Sequence, residues 1–473
     1  MEHPLVNVPA MLWIVILYLV LLLVIGWYFY NKSKGQEGKD DFFLAGRGLG
    51  KVVTIGTILA TYTGSGTVTG GGNSLAYNFG FWPGFCFTLP AVFGMLVLLL
   101  LSKKIRESNC TTVAEMIEKK YGSTARIFSA VIIALSMISI VSYQYRGLGF
   151  ILNATTGLTV DASTIICCAV VVLLAFSGGL KTVATTDAMS AFLMVLGLAV
   201  SLPILLKTVG GVDWIVSTAQ ATDPNLLTFS GGQTLFGWLG GYLPLFFLTI
   251  GDQNHFQRIV AAKDLKTART GLFGCLVACI IIMPVVASFA FIGRLYFGAN
   301  IQAGQALIST ATLMPLIWGG IVLAAASAFT VTTGDSYLLS GASNFTIDIY
   351  KTKINPNATP KQEMRTTRLF ILIAGVLAYV ILQFFPSVLA VQYWSYTIYG
   401  AGITPAVFCA LVWPKVTKAG GIASMLIGTA LTIVWEALGM PFGIQTVIIA
   451  LPVSAIVIVV VSLLTQPKQA AQA

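Results

Sequence analysis

Charge is what this 473-residue chain has least of: Asp, Glu, Lys and Arg make up 9% of it, against about 25% in soluble domains. With 56% hydrophobic residues, so little charge cannot cover a soluble surface, which leaves a polytopic membrane protein. Histidine is scarcer still, with only His3 and His255. Both fall in predicted flanks of spans, so no nucleophile–base pair can be argued and the chain is not expected to be an enzyme. The seven cysteines (Cys86, Cys110, Cys167, Cys168, Cys275, Cys279, Cys409) lie in predicted spans or on the cytoplasmic side and lack metal-ligand spacing with histidine. Neither disulfides nor zinc are expected. The first apolar run, Met11 to Tyr30, lacks the basic start and small-residue cleavage site of a removable signal, so it reads as a retained span.

What is present in excess is positive charge, a formal +10, and its distribution decides what it means. Of the 27 Lys and Arg, all but Lys207, Arg294 and Arg146 fall at span ends or in loops that alternate onto one side. That is the positive-inside pattern; it implies a lipid bilayer as partner and no nucleic acid. It also puts the N-terminus outside and the C-terminus in the cytoplasm.

Apolar runs near the roughly 20 residues needed to cross a bilayer predict an all-α protein of about 13 transmembrane helices. The segment from Val52, VVTIGTILATYTGSGTVTGGGNSLAYNFG, is apolar enough to cross yet keeps interrupting its own helix. Glycine costs about 1 kcal/mol relative to alanine in a helix interior. Hydrocarbon cannot solvate freed peptide groups, so such a stretch survives at membrane depth around a polar cavity or ligand. Close helix packing through small residues is the alternative. A second broken helix is expected from Leu235, interrupted by Gly237, Gly240, Gly241 and Pro244, and ending in a basic cytoplasmic loop, GDQNHFQRIVAAKDLKTART. Between Thr112 and Tyr121 a short amphipathic helix is predicted, capped by threonine with Glu115 three residues on.

Each broken helix opens a set of five spans, and because five is odd the two sets have opposite topology, the pattern of an inverted-repeat transporter with its site at the midplane. The expected organisation is residues 1–51 as an extra helix and cytoplasmic loop, 52–207 as repeat one, and 208–234 as an extracellular loop. Residues 235–413 form repeat two, and 414–473 hold two further helices and a cytoplasmic tail.

DDFFLAGRGLG, TVAEMIEKKYG, SGGLKTVATTDAMSAFLMVLG, DQNHFQRIVAAKD and the run to NFTIDIYK occur in this order along the chain. On these anchors the chain resembles the sodium/solute symporter family, whose members carry sugars, proline, pantothenate, monocarboxylates or sialic acid with sodium. The resemblance implies the LeuT-type fold of two inverted five-helix repeats, with one extra helix in front and two behind. It also implies co-transport of sodium with a small-molecule solute. A sensor or channel-like protein of the same fold, or a proton-coupled symporter, are the alternatives. Oligomeric state is not legible.

The helix from Leu316 carries SAFTVTTGDSYLLSGAS, rich in hydroxyls for a membrane interior, and neutral oxygens suit a small hard cation. The resemblance places the sodium site at the carbonyls of Thr61 and Gly64, the carbonyl of Phe329 and the hydroxyls of Thr332 and Thr333. The alternative for these threonines is hydrogen bonding to their own helix. Asp335 is an intramembrane carboxylate and by default functional; it shares a helix face with Thr332 and Ser336. With Asp187, expected at the start of the fifth core helix, Asp335 and Ser336 would form a second cation site. A salt bridge from Asp335 to Arg146, a helix-start role for Asp187, and protonation of Asp335 stay open.

The solute is expected between the two broken helices, facing Thr63, Ser65, Thr67, Leu248 and Thr397. Where sugar carriers of the family place amide, carboxyl and aromatic side chains, this chain has Thr67, Val68 and Leu248, which argues against a sugar. Arg146, toward the interior of the third core helix, suits a carboxylate, so a monocarboxylate or amino acid is favoured; a structural role for Arg146 is the alternative. Tyr393, Trp394, Tyr396 and Tyr399 form either an outer gate or an interfacial aromatic belt.

Overall fold

With no water to bond to, a backbone in hydrocarbon satisfies its peptide groups internally, and the apolar runs of this chain are accordingly helical but for short breaks. The computed structural model describes residues 7–33, 43–177 and 179–466. His3, the tail from Pro467 and residues 34–42 of the first basic loop lie outside the described residues. In chain order the helices are α1 (Pro9–Ser33), α2 (Lys51–Tyr62), α3 (Gly71–Phe79), α4 (Thr88–Glu107), α5 (Val113–Tyr121), α6 (Ser123–Thr156) and α7 (Val160–Ser177). They continue with α8 (Leu180–Val209, with a π-helical turn at Leu193–Gly197), α9 (Gly211–Thr222), α10 (Leu235–Gly251), α11 (Gln253–Ala261) and α12 (Leu265–Phe297). The last are α13 (Leu316–Asn344), α14 (Pro360–Leu382), α15 (Val388–Gly402), α16 (Thr404–Val412), α17 (Lys418–Ala437) and α18 (Thr446–Leu464).

Among the described residues, eleven helices are long and apolar enough to cross a membrane, and two shorter apolar helices, Lys51–Tyr62 and Val160–Phe176, stand where the second and fifth spans were expected. Every residue of α13 from Val322 to Asn344 is buried. A helix apolar or small on all sides belongs in the middle of a large bundle, and α13 packs against α1, α6, α7, α8 and α14. By contrast α1 leaves Trp13, Leu17 and Trp27 exposed on the outside, as a helix facing lipid would. The amphipathic helix expected from Thr112 is α5: the Thr112 hydroxyl accepts from the Glu115 amide at 3.0 Å, and the Glu115 carboxylate accepts from the Thr111 amide at 2.7 Å.

The structure corrects three expectations. The glycines and Pro244 do not break α10, which runs unbroken to Gly251; the break comes at Asp252, whose carboxylate accepts from the Asn254 amide at 3.1 Å and starts α11. The expected basic loop QNHFQRIVA is therefore a helix, and every one of its residues is buried, His255 included. Asp187 does not start a helix, because α8 begins at Leu180 and carries Asp187 fully buried two turns inside. The third difference is that the polar segment after Lys207, expected as a loop, contains a helix, α9, between Gly210 and Asp223.

Candidate cation and solute site

The chain from Val52 leaves α2 at Thr63, whose backbone is extended (φ −96°, ψ 100°), and re-enters helix through a π-helical segment, Gly66–Gly70, before α3. Freed peptide groups must find partners, and side chains from three other helices supply them. The Ser65 amide donates to Gln144 Oε1 on α6 at 2.8 Å. The Gly71 amide donates to Gln392 Oε1 on α15 at 2.8 Å, while Gln392 Nε2 donates to the Gly66 carbonyl at 3.2 Å. From α13, the Thr333 hydroxyl reaches the Ala60 carbonyl at 2.9 Å and the Thr63 carbonyl at 3.3 Å, and Thr332 reaches the Ala60 carbonyl at 3.2 Å.

These contacts need bare glycine. A methyl group on Gly64 would lie 2.6 Å from Thr333 Oγ1, and one on Gly70 would lie 2.0 Å from Gln392 Oε1. The expected carbonyl pair is displaced by one residue: the oxygens facing the two threonines belong to Ala60 and Thr63, not to Thr61 and Gly64. The Thr61 side chain instead donates to Ser336 Oγ at 3.5 Å. Thr332 also bonds its own helix, donating to the Ala328 carbonyl at 2.6 Å, the alternative weighed for it from the sequence. Phe329, one turn before Thr333, is fully buried.

One turn along α13 lies a second cluster, with a cation already in it. Arg258 of α11, 0% exposed, donates to Ser336 Oγ at 2.9 Å and to Thr57 Oγ1 at 3.0 Å, and its guanidinium lies 3.6 Å from Asp187 Oδ2. Thr57 Oγ1 donates to the same carboxylate oxygen at 2.6 Å. A buried charge left unpaired costs several kcal/mol, and Arg258 pairs Asp187. Asp335 points elsewhere. Its Oδ1 has no hydrogen-bond partner, and it lines a small cavity with Thr182, Thr186 and Thr332 beside α1. Arg258 contacts both Asp187 and Ser336, at 3.6 and 2.9 Å, so two members of the expected second cation site already share a cation.

The residues expected to face the solute, Thr63, Ser65, Thr67, Leu248 and Thr397, are all buried. The Thr63 hydroxyl donates to the Leu59 carbonyl of its own helix at 2.7 Å. Ser65 Oγ donates to the Tyr143 carbonyl of α6 at 3.1 Å, which helps hold the break against α6. Arg146 does not line this region: α6 turns Tyr143 and Gly147 toward the break, and the Arg146 guanidinium lies 3.5 Å from Asp161 at the start of α7. The salt bridge from Asp335 to Arg146, left open from the sequence, is not formed: Arg146 pairs with Asp161.

The aromatic cluster divides by role. The Tyr143 hydroxyl donates to Tyr396 Oη at 3.0 Å, and Gln392 Nε2 donates to the same oxygen at 3.2 Å, so these side chains close over Gly66. The Tyr399 hydroxyl donates to the Gly251 carbonyl at 2.9 Å and accepts from the Gln253 amide at 3.0 Å, satisfying both sides of the second break. Trp394 is only half-buried and packs on Phe385. Sequence reasoning missed Gln144, Gln392 and Arg258. Uncharged amides inside long apolar helices give no signal of their own, and Arg258 was hidden because its helix is polar enough to read as a loop.

The model of the sodium:solute symporter family matches residues 42–428. The chain is 26% identical over 474 residues to the osmoregulated proline transporter OpuE of Bacillus subtilis, covering 95% of this chain and 94% of that protein. It is 25% identical to the sodium/pantothenate symporter of Escherichia coli over 90% of each chain. It is also 25% identical to the high-affinity choline transporter 1 of Caenorhabditis elegans, over 89% of this chain and 77% of that protein. Among solved structures, a Na+-coupled sialic acid symporter in a substrate-bound outward-open state superposes with a TM-score of 0.79 at 19% identity, covering 97% of this chain and 98% of that one. Its fold is the fold of this chain.

Proposed function

Since the chain belongs to the sodium:solute symporter family and is a multi-pass membrane transporter that couples a solute to sodium, we propose where the ion and the solute are held and how they are linked. Sodium is taken at the first break, by the carbonyls of Ala60 and Thr63, the hydroxyls of Thr332 and Thr333, and the Phe329 carbonyl. The observation that carries this is the meeting of the α13 hydroxyls with two freed α2 carbonyls at 2.9 to 3.3 Å. Oxygens at such separations can share one hard cation; calcium, for comparison, takes its oxygens at roughly 2.3–2.6 Å. Hydroxyls that donate to the carbonyls turn their lone pairs to the ion when it binds. The termini lie as the charge pattern implies, N-terminus outside and C-terminus cytoplasmic.

The solute lies between the two breaks, against Thr67, Leu248 and Thr397, and is small and carboxylate-bearing. The relatives named for proline and pantothenate support this class; the one named for choline supports a cation instead. With Arg146 held at Asp161, the positive charge nearest the first break on the solute side is the sodium itself. A carboxylate there would gain affinity from the bound ion, and by linkage the ion would gain equally from the solute. A binding screen of amino acids, short monocarboxylates, pantothenate, quaternary amines and sugars, with and without sodium, tests this. A sodium-dependent carboxylate ligand supports the reading; binding confined to a quaternary amine or a sugar overturns it.

Proton coupling is a second reading, favoured by one observation, the unpartnered Oδ1 of Asp335 beside Thr182 and Thr186. Concentrative uptake in proteoliposomes under a sodium gradient alone, at equal pH on both sides, separates the two readings. The same measurement separates a symporter from a sensor of this fold.

A further inference from the structure

We propose that the cleft between the C-terminal end of α7 and the N-terminal part of α14 binds an anionic phospholipid from the leaflet on the basic side of the membrane. This rests on surface features that play no part in the transport site.

The cleft, an open space of about 1300 Å³, is lined by Phe176 from α7 and by Lys361, Met364, Arg365, Arg368, Leu369 and Leu372 from α14. Lys361, Arg365 and Arg368 follow one another at spacings of four and three, so they form one stripe on the helix. The Arg368 guanidinium stands over the Phe176 ring, 5.5 Å from its centroid, which ties the stripe to α7. The acid within this turn does not neutralise it: Glu363 is buried on the other side of α14 and pairs with Lys351. Further along α14 the lining changes character, with Leu369 57% and Leu372 42% exposed.

A site basic at one end and apolar at the other, on a membrane-spanning helix, fits an amphiphile with an anionic head. The phosphate takes the Lys361–Arg365–Arg368 stripe and an acyl chain runs along Leu369 and Leu372. A free phosphate would use only the upper half, and a zwitterionic lipid would bring a cation to a basic surface. Basic pockets between membrane helices on the cytoplasmic side suit acidic headgroups, each Lys or Arg near the surface contributing about fivefold in affinity. The bound lipid bridges α7 and α14, which stand in the first and second halves of the chain, and would stiffen their contact.

The test uses the full chain, released from bilayers of phosphatidylcholine and phosphatidylglycerol and weighed intact by native mass spectrometry. The wild type should keep phosphatidylglycerol over phosphatidylcholine by about tenfold or more, and K361Q/R365Q/R368Q should lose that preference. R365K/R368K, which keeps the charge, should retain most of it. If the triple variant is unstable, K361Q/R365Q, both exposed positions, reads the same preference. Equal retention of the two lipids by the wild type, an unchanged preference in the glutamine variants, or displacement of the lipid by millimolar inorganic phosphate would each overturn the proposal.

Discussion

Thr333 and Gly64 meet so closely that the backbone of α2 can open only because position 64 has no side chain: a methyl there would sit 2.6 Å from the threonine hydroxyl. That contact brings the α13 hydroxyls onto the Ala60 and Thr63 carbonyls. Gly64→Ala should therefore push α13 and α2 apart, at a cost of about 1–3 kcal/mol for overpacking. Sodium-driven uptake should fall while the protein still inserts; an unchanged sodium activation curve would show that the close approach is not needed.

Thr332→Ala with Thr333→Ala removes both hydroxyls and leaves the carbonyls. The sodium concentration for half-maximal uptake should rise at least tenfold, equivalent to about 1.4 kcal/mol of lost ion binding. Uptake measured against sodium concentration decides, and identical activation in wild type and variant would refute the site.

Asp187 and Arg258 are both fully buried and face each other across Thr57. Breaking such a pair from one side costs about 3–5 kcal/mol, because it strands the other charge. Asp187→Asn and Arg258→Gln should each lower thermal stability strongly, and the double variant should recover part of the loss. Additive losses in the double-mutant cycle would mean that the two charges do not pair.

Arg146 lies at Asp161, away from the break. Arg146→Gln should leave solute affinity unchanged, since its side chain is held at Asp161, and the lost ion pair, with one exposed partner, costs only about 0–1 kcal/mol of stability. A selective loss of carboxylate binding would return Arg146 to the solute site.

Gln392 joins the Gly66 carbonyl, the Gly71 amide and the Tyr396 hydroxyl. Gln392→Ala orphans buried peptide groups at about 1–3 kcal/mol each, which should favour a conformation open on that side. A cysteine introduced at Thr67 should then react faster with an impermeant thiol reagent added from outside. Equal labelling rates would show that Gln392 does not hold the closure.

By itself the sequence determined the class of the molecule, the order of its membrane helices and the places where chemistry could lie. Those properties follow from hydropathy, charge on alternate loops and glycine in a span, each a local quantity that hydrocarbon enforces residue by residue. The threonines of α13 and the break after Val52 were legible for that reason. What only the tertiary structure decided was partnership. Whether Ala60 and Thr63 or their neighbours face Thr333 is a matter of helix rotation, which one residue changes by about 100°. Arg146 looked like a carboxylate receptor until α6 was seen to turn it toward Asp161. Arg258, in a stretch polar enough to read as a loop, became a buried cation because Asp187, Thr57 and Ser336 converge on it from three other helices. No pattern along the chain records such convergence, since Thr57 lies 201 residues from Arg258 in sequence and the two meet only when the bundle closes.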